Sequence, residues 1–250
     1  MDAKGVKTAL YKGDVSLKEF ITSHIKTLKN NTILGVASKV VALSQGRLID
    51  LNKVKGAKNP KKYYDGKRNE DSRMAALINK EAKFVFPGEF YLTYKEGAIL
   101  AAAGIDQSNV PEGHAVLLPN NLKKTITNLW SDLRKHYKVR NLGIIIIDSH
   151  CVPLREGTHG LALAYTGFQG VKDYRGKKDL YKKKMQVSQL AVADNLASTA
   201  LLLMGESNEC TPLVTIEEAP VKFLKEYGQG KISPKKCLFK EFYKNTGFKV

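Results

Sequence analysis

Leu17, Phe20, Ile21, His24, Ile25 and Leu28 recur at the three- and four-residue spacing of one helix face, and Ser16 stands where a helix N-cap belongs. Residues 17–28 therefore read as an amphipathic helix. The pattern then changes. TILGVASKVVALSQGRLI, residues 32–49, is rich in β-branched side chains and is interrupted by Ser-Lys and Gln-Gly. It predicts a strand, a turn or bend, and a further strand. From Lys53 to Asp71 the chain is polar and rich in Lys, Gly and Asn, the composition of an exposed loop. Residues 72–82 fit a short helix, and residues 83–93 fit paired strands around Pro87-Gly88. Ala98 to Ala103 is a run of small and apolar residues that leads into Gly104-Ile105-Asp106.

In the second half, Asn120 and Asn121 precede Leu122, Ile126, Leu129, Trp130 and Leu133, a helical pattern that runs to about Tyr137. Leu142 to Ile147 is unbroken apolar sequence with four consecutive isoleucines and ends in Asp148. Such a run suits a strand covered on both faces. Residues 161–165 predict another strand, residues 187–204 a long helix closed by Gly205, and residues 212–216 a last strand. Beyond residue 220 the sequence is basic and predicts a helical extension. Helices and strands are interleaved, so the class is α/β or mixed α+β.

Composition adds bounds. The chain has 250 residues, 43% hydrophobic and 26% charged, without repeats or low-complexity tracts. That is one large domain or two modest ones. The opening residues are polar, and the apolar stretch Leu190 to Met204 is interrupted by Asp194 and Asn195. It falls short of the roughly 20 apolar residues a bilayer requires, so a soluble, cytoplasmic protein is expected. Cys151, Cys210 and Cys237 are an odd, widely spaced set, which reads as free thiols rather than a disulfide framework or zinc site. The net charge of +17 attracts anions such as nucleotide phosphates, acidic coenzymes or nucleic acid. A solvated lysine surface explains that charge equally well. The basic residues are scattered and carry no ordered aromatic array, so specific nucleic-acid binding ranks below both readings.

The candidate chemistry sits at a few acidic positions. Asp148 ends a buried strand, where α/β sheets place ligands, and Ser149 offers a second oxygen. A turn-capping aspartate would look the same. Asp106 lies in GIDQSN with Asn109 three residues on, a pattern shared with an ordinary Asx-turn. Glu206 follows the helix-ending Gly205, where a negative charge opposes the helix dipole. DYRGKKD sets Asp173, Arg175 and Asp179 around a glycine turn, and Arg175 has the fork to grip phosphate or carboxylate. There is no P-loop, no GxGxxG and no Gly-x-Ser-x-Gly, and the five histidines show no ligand spacing.

Taken in order, ASKVV at Ser38, AGIDQSNV at Ala103, LLP at Leu117, IIIIDSHCVPLREG at Ile144, DYRGKKDLY at Asp173, QLAVADNLASTALLLMGE at Gln189 and TPLV at Thr211 resemble the coenzyme F-420 gamma-glutamyl ligase family. The resemblance spans about Gly13 to Val214, with AGIDxSN and DYRGxxD its most specific elements. It implies a gamma-glutamyl ligase-like fold as an intertwined homodimer, one domain over residues 1–220, which two subdomains would also fit, and a basic extension over 221–250. The implied activity attaches L-glutamate to a carboxylate-bearing coenzyme through a γ-glutamyl amide, using GTP or ATP with Mn2+ or Mg2+ and potassium, by way of an acyl phosphate.

Asp106, Asp148, Ser149 and Glu206 are the implied metal ligands. Ser38, Lys39, Asn109 and the run Met204, Gly205, Glu206, Ser207, Asn208, Glu209, Cys210 and Thr211 are the implied nucleotide contacts. Arg155 and Arg175 are candidates for substrate binding, and no protein nucleophile is expected. Leu43 stands where the family has lysine, and Lys182 to Met185 replaces a Gly-Arg-x-Leu segment. These departures leave the base preference and the acceptor open. A folate-type acceptor, or a relative that binds nucleotide without turnover, are the alternatives.

Overall fold

The four isoleucines decide the centre of the molecule. In the computed structural model, which describes residues 1–58, 60–61 and 71–248, Ile144 and Ile146 point into one hydrophobic core and Ile145 and Ile147 into another. All four are at most 2% exposed, and each contributes about 1.5–3 kcal/mol by leaving water. The expectation of a strand covered on both faces is met, and the strand is longer than the apolar run.

In chain order the strands and helices are β1 (Asp2–Val6), α1 (Leu17–His24), β2 (Thr32–Ala37), α2 (Ser38–Ser44), β3 (Leu48–Asp50), α3 (Ser72–Glu81), β4 (Phe84–Val85), β5 (Leu92–Lys95), β6 (Ala98–Ala101), β7 (His114–Val116), α4 (Leu122–Tyr137), β8 (Leu142–Cys151), β9 (Thr158–Phe168), β10 (Val171–Asp173), β11 (Gln189–Ala191), α5 (Val192–Met204), β12 (Leu213–Glu217), β13 (Phe223–Gly228) and α6 (Lys240–Tyr243). The class is mixed α and β, as expected. The main sheet has the order β1-β12-β2-β8-β9-β13, and only the β2–β8 pair is parallel. Helices α1, α2 and α4 contribute to the core on one face, and α5 to the core on the other. A third core gathers Leu51, Met74, Ile78, Tyr91 and Ile105 around α3 and the short sheets β3-β7 and β4-β5-β6.

Local chemistry explains the helices that the spacing predicted. Ser16 and Glu19 form a reciprocal capping box at α1, and Asp71 accepts from the Arg73 amide to start α3. Helix α1 stops at His24, because Ile25 is already extended. Four expectations are corrected. SKVVALS is a helix rather than a bend and strand, because Ser38, Val41 and Ala42 bury at i, i+3 and i+4 spacing. The helix over 187–204 starts only at Val192, since Gln189–Ala191 pairs with β10. β12 is not the last strand: Phe223–Gly228 closes the sheet edge against β9. Accordingly the basic tail is not a helical extension, and among its described residues the one α-helix is a single turn at Lys240–Tyr243. The expected loop from Lys53 to Asp71 lies partly outside the described residues. Cys151, Cys210 and Cys237 are free, as expected. Among the described residues no helix is long and apolar enough to cross a membrane.

Candidate functional site

Parallel strands β2 and β8 run side by side from Thr32↔Leu142 to Ala37↔Ile147, so their carboxyl ends open on the same edge of the sheet. The next residue on each is polar: Ser38 begins α2 and Asp148 continues β8. Ser38 Oγ donates to Asp148 Oδ1 at 2.7 Å. This is the crevice beyond the strand ends where α/β sheets bind ligands. A cavity of about 260 Å3 opens there.

Three further segments complete its wall. After β6 the chain turns through Ala102 and Ala103, both left-handed, and brings Asp106 across from α2. Lys39 Nζ lies 2.8 Å from Asp106 Oδ2 and donates to the Ser108 carbonyl at 2.7 Å. Ser108 caps the same carboxylate, with its amide and its hydroxyl each 2.7 Å away. The loop after α5 forms the far wall. Gly205, at φ 73° and ψ −177°, has a backbone that only glycine adopts readily, and a Cβ there would lie 2.2 Å from the Glu209 carboxyl carbon. Asn109 Nδ2 donates to the Ser207 carbonyl at 2.6 Å, and Thr158 Oγ1 donates to Glu206 Oε1 at 2.6 Å. The N-terminal segment supplies Thr8 to Tyr11, tied by the Thr8 amide to the Cys210 carbonyl at 2.9 Å.

Every residue that the resemblance named for metal or nucleotide lines this one cavity: Ser38, Lys39, Asp106, Asn109, Asp148, Ser149 and the run Met204 to Thr211. Arg155 and Arg175 do not line it. Arg175 is held within its own turn by Asp173, Nη2 to Oδ2 at 2.5 Å. Sequence reasoning missed Tyr11, Ser108 and Thr158. Ser108 stood between two named residues, whereas nothing local in the sequence pairs Thr158 with Glu206.

The electrostatics divide the carboxylates. Burial pushes the Asp148 carboxyl up to about 6, and the nearby charges of Asp106 and Glu206 add to the rise against the Ser38 hydrogen bond. At Asp106 burial also pushes upward, but Lys39 and Ser108 outweigh it and hold the carboxyl below its ordinary range. Asp106, Asp148, Ser149 and Glu206 bring side-chain oxygens to the wall, the donor type that hard divalent cations take. Among the described residues no three His, Cys, Asp or Glu side chains stand close enough together to hold an ion by themselves. The donor set therefore fits a cation whose shell is completed by phosphate and water oxygens.

Residues 5–218 match the family model described as F420-0:Gamma-glutamyl ligase. The protein named "Coenzyme F420:L-glutamate ligase" in Methanopyrus kandleri is 32% identical over 190 residues, covering 75% of this chain and 75% of that protein. The protein of the same name in Methanocaldococcus jannaschii is 30% identical over 236 residues, covering 92% of this chain and 93% of that protein. One from Methanococcus maripaludis is 30% identical over 227 residues, covering 89% and 90%.

Proposed function

This chain belongs to the F420-0:Gamma-glutamyl ligase family, and on that premise we propose that it joins L-glutamate to a coenzyme of the F-420 type with cleavage of GTP. The observation that carries the reading is the convergence of Asp106, Asp148, Ser149 and Glu206 with Ser38, Lys39 and Asn109 on one cavity. A carboxylate does not form an amide without activation. Transfer of the γ-phosphoryl group to the acceptor carboxylate gives an acyl phosphate and GDP, and the glutamate amine then attacks the carbonyl and expels phosphate. Asp106 and Asp148 would hold one divalent cation, Mn2+ or Mg2+, and Ser149 and Glu206 a second, and the pair would neutralise phosphate charge.

The chain's own part is positioning and charge. Lys39, which lies beside Asp106, brings a cation to the phosphates. Ser38 holds the Asp148 carboxylate in one orientation. The Asn109–Ser207 bond fixes the far wall against the Asp106 loop. No protein nucleophile is needed. Purified protein with GTP, Mn2+ and labelled glutamate is expected to release GDP only when an acceptor is added. Absence of turnover with every deazaflavin and pterin acceptor would overturn the reading. A relative that binds nucleotide without turnover is the second reading, motivated by Leu43, which lines the cavity where the family has lysine.

A homodimer, in the cytoplasm, completes the proposal. The segment joining β10 to β11 and the outer face of α5 expose Leu180 (98%), Tyr181 (85%), Val187 (80%) and Leu202 (87%), large apolar side chains that a second copy would cover. Sedimentation is expected to give two chains per particle, and Leu202→Asp to shift the population toward single chains. A parent protein that sediments as single chains at micromolar concentration contradicts the dimer.

A further inference from the structure

We propose that the C-terminal segment from Gln229 to Phe248 is a strap that positions Asp106, and that Phe248 is the residue through which it acts. The segment begins on the main sheet, where β13 is hydrogen-bonded to β9. It then crosses to the small sheet β4-β5-β6 and grips it twice. At the tight turn between β5 and β6, Gln229 Nε2 donates to Glu96 Oε2 at 3.2 Å and Lys231 Nζ lies 3.6 Å from the same oxygen. At the end of the segment, the Phe248 ring lies among four others. Its centroid is 5.1 Å from Phe84, 5.2 Å from Phe86, 4.9 Å from Tyr94 and 5.4 Å from Tyr243. Tyr243 is buried, and its hydroxyl donates to the Pro234 carbonyl at 3.1 Å, which folds the strap back on itself.

The small sheet in turn fixes the loop that carries Asp106. The Thr93 hydroxyl, one residue from Tyr94, donates to the Leu100 carbonyl at 2.7 Å and accepts from the Ala103 amide at 2.9 Å. The Ala102 amide donates to the Tyr91 carbonyl at 2.9 Å. These bonds hold Ala102 and Ala103 at φ 48° and 55°, a conformation that alanine adopts only when its surroundings impose it. Three residues later Asp106 pairs with Val116 and presents its carboxylate to Lys39. Lys95, next to Tyr94, is tied to Glu81, which also binds Arg47 at 2.7 Å. Adjacent strand residues face opposite ways, so the Glu81 cluster holds one face of β5 and the strap holds the other. The strap lies beyond the family match, which ends at residue 218.

The role in nucleotide binding rests on the function proposed above, but the mechanical role does not, and the test separates them. Hydrogen exchange of the ligand-free full chain is compared with Phe248→Ala. The variant is expected to exchange at least tenfold faster at the amides of Ala102, Ala103, Ile105 and Asp106, with Ile144 to Ile146 unchanged. Calorimetric affinity for GTP with Mn2+ should fall about tenfold, KM for glutamate should hold, and Phe248→Tyr should restore both. Glu96→Gln, which weakens only the other grip, is expected to give the same pattern at smaller amplitude and serves if Phe248→Ala does not fold. Unchanged exchange at residues 102–106, or equal acceleration in β8, overturns the strap. Faster exchange with undiminished GTP binding overturns its positioning role. A parent protein that binds no GTP instead fails the proposed function, and exchange alone then decides the mechanical claim.

Discussion

Asp148→Asn is expected to fold, to melt higher than the parent in metal-free buffer at pH 7, and to turn over roughly a thousandfold more slowly. The two effects share a cause. The Asp148 carboxyl is raised from 3.8 to about 6 chiefly because it is buried, with Asp106 and Glu206 adding repulsion. A group whose folded value lies above its unfolded value keeps its proton longer in the native state. Native stability therefore falls as pH rises between about 4 and 6, and the full cost is present at pH 7. That rise bounds the cost at about 3 kcal/mol, and the open side of the cavity admits water, so about 2 kcal/mol is expected. For a chain of this size the gain in Tm is roughly 4–8 °C. Asparagine keeps the acceptor for Ser38 and removes the charge, so packing is unchanged. The advantage should shrink at pH 5, where the parent is largely protonated, and Mn2+ should raise the Tm of the parent but not of the variant. A variant that melts below the parent at pH 7 would show that the carboxylate is not strained in the free protein.

What the sequence disclosed follows from where the physical signal lies. Ile144 to Ile147 were legible because burial on both faces leaves an unbroken apolar run. Helix α4 was legible because Leu122, Ile126, Leu129 and Leu133 repeat over about three turns. SKVVALS was misread because two turns are too few for period to outweigh the strand preference of Val40 and Val41. β1 and β13 gave no signal. Asp2–Val6 and Phe223–Gly228 are edge strands, the first mostly exposed and the second mostly half-buried, and their backbone hydrogen bonds to β12 and β9 leave no mark on side-chain pattern. The site shows the same division. Asp148 was singled out by its place at the end of a buried strand, Asp106 by its setting in GIDQSN and Glu206 by its misfit with the helix dipole; resemblance to a family gathered them, and they line one cavity. Arg175 was chosen for its chemistry, yet Asp173 two residues away already engages it. Thr158 and Glu206 are 48 residues apart and meet only because β9 starts beside the end of α5.

Gly160→Ala is expected to destabilise the protein by about 3 kcal/mol, lowering Tm by roughly 6–12 °C. Gly160 lies on β9 opposite Ser149, directly beneath α5. A Cβ built there would sit 2.3 Å from the Ala197 carbonyl carbon, 2.4 Å from its oxygen and 2.5 Å from the Ser198 nitrogen. All three are helix backbone, so no rotamer relieves the overlap and the helix must move. It is not free to do so. The Asp194 side chain accepts from the Ala162 amide at 3.0 Å, and Leu196, Ala197, Ala200 and Met204 are packed into the second core. Gly35 offers the contrast: its Cβ would meet the Ile147 Cδ1 methyl at 2.8 Å, and a methyl can rotate away. Gly35→Ala should therefore cost less, about 1 kcal/mol. The larger effect also reaches the site. Helix α5 ends at Met204, and Glu206 two residues later is held by Thr158 at the start of β9, so lifting the helix draws that carboxylate out of the cavity wall. Gly160→Ala should lose the stabilisation that Mn2+ and GTP confer on the parent, whereas Gly35→Ala keeps most of it. If the two variants melt within 2 °C of each other, α5 does not rest on β9 as closely as its backbone indicates.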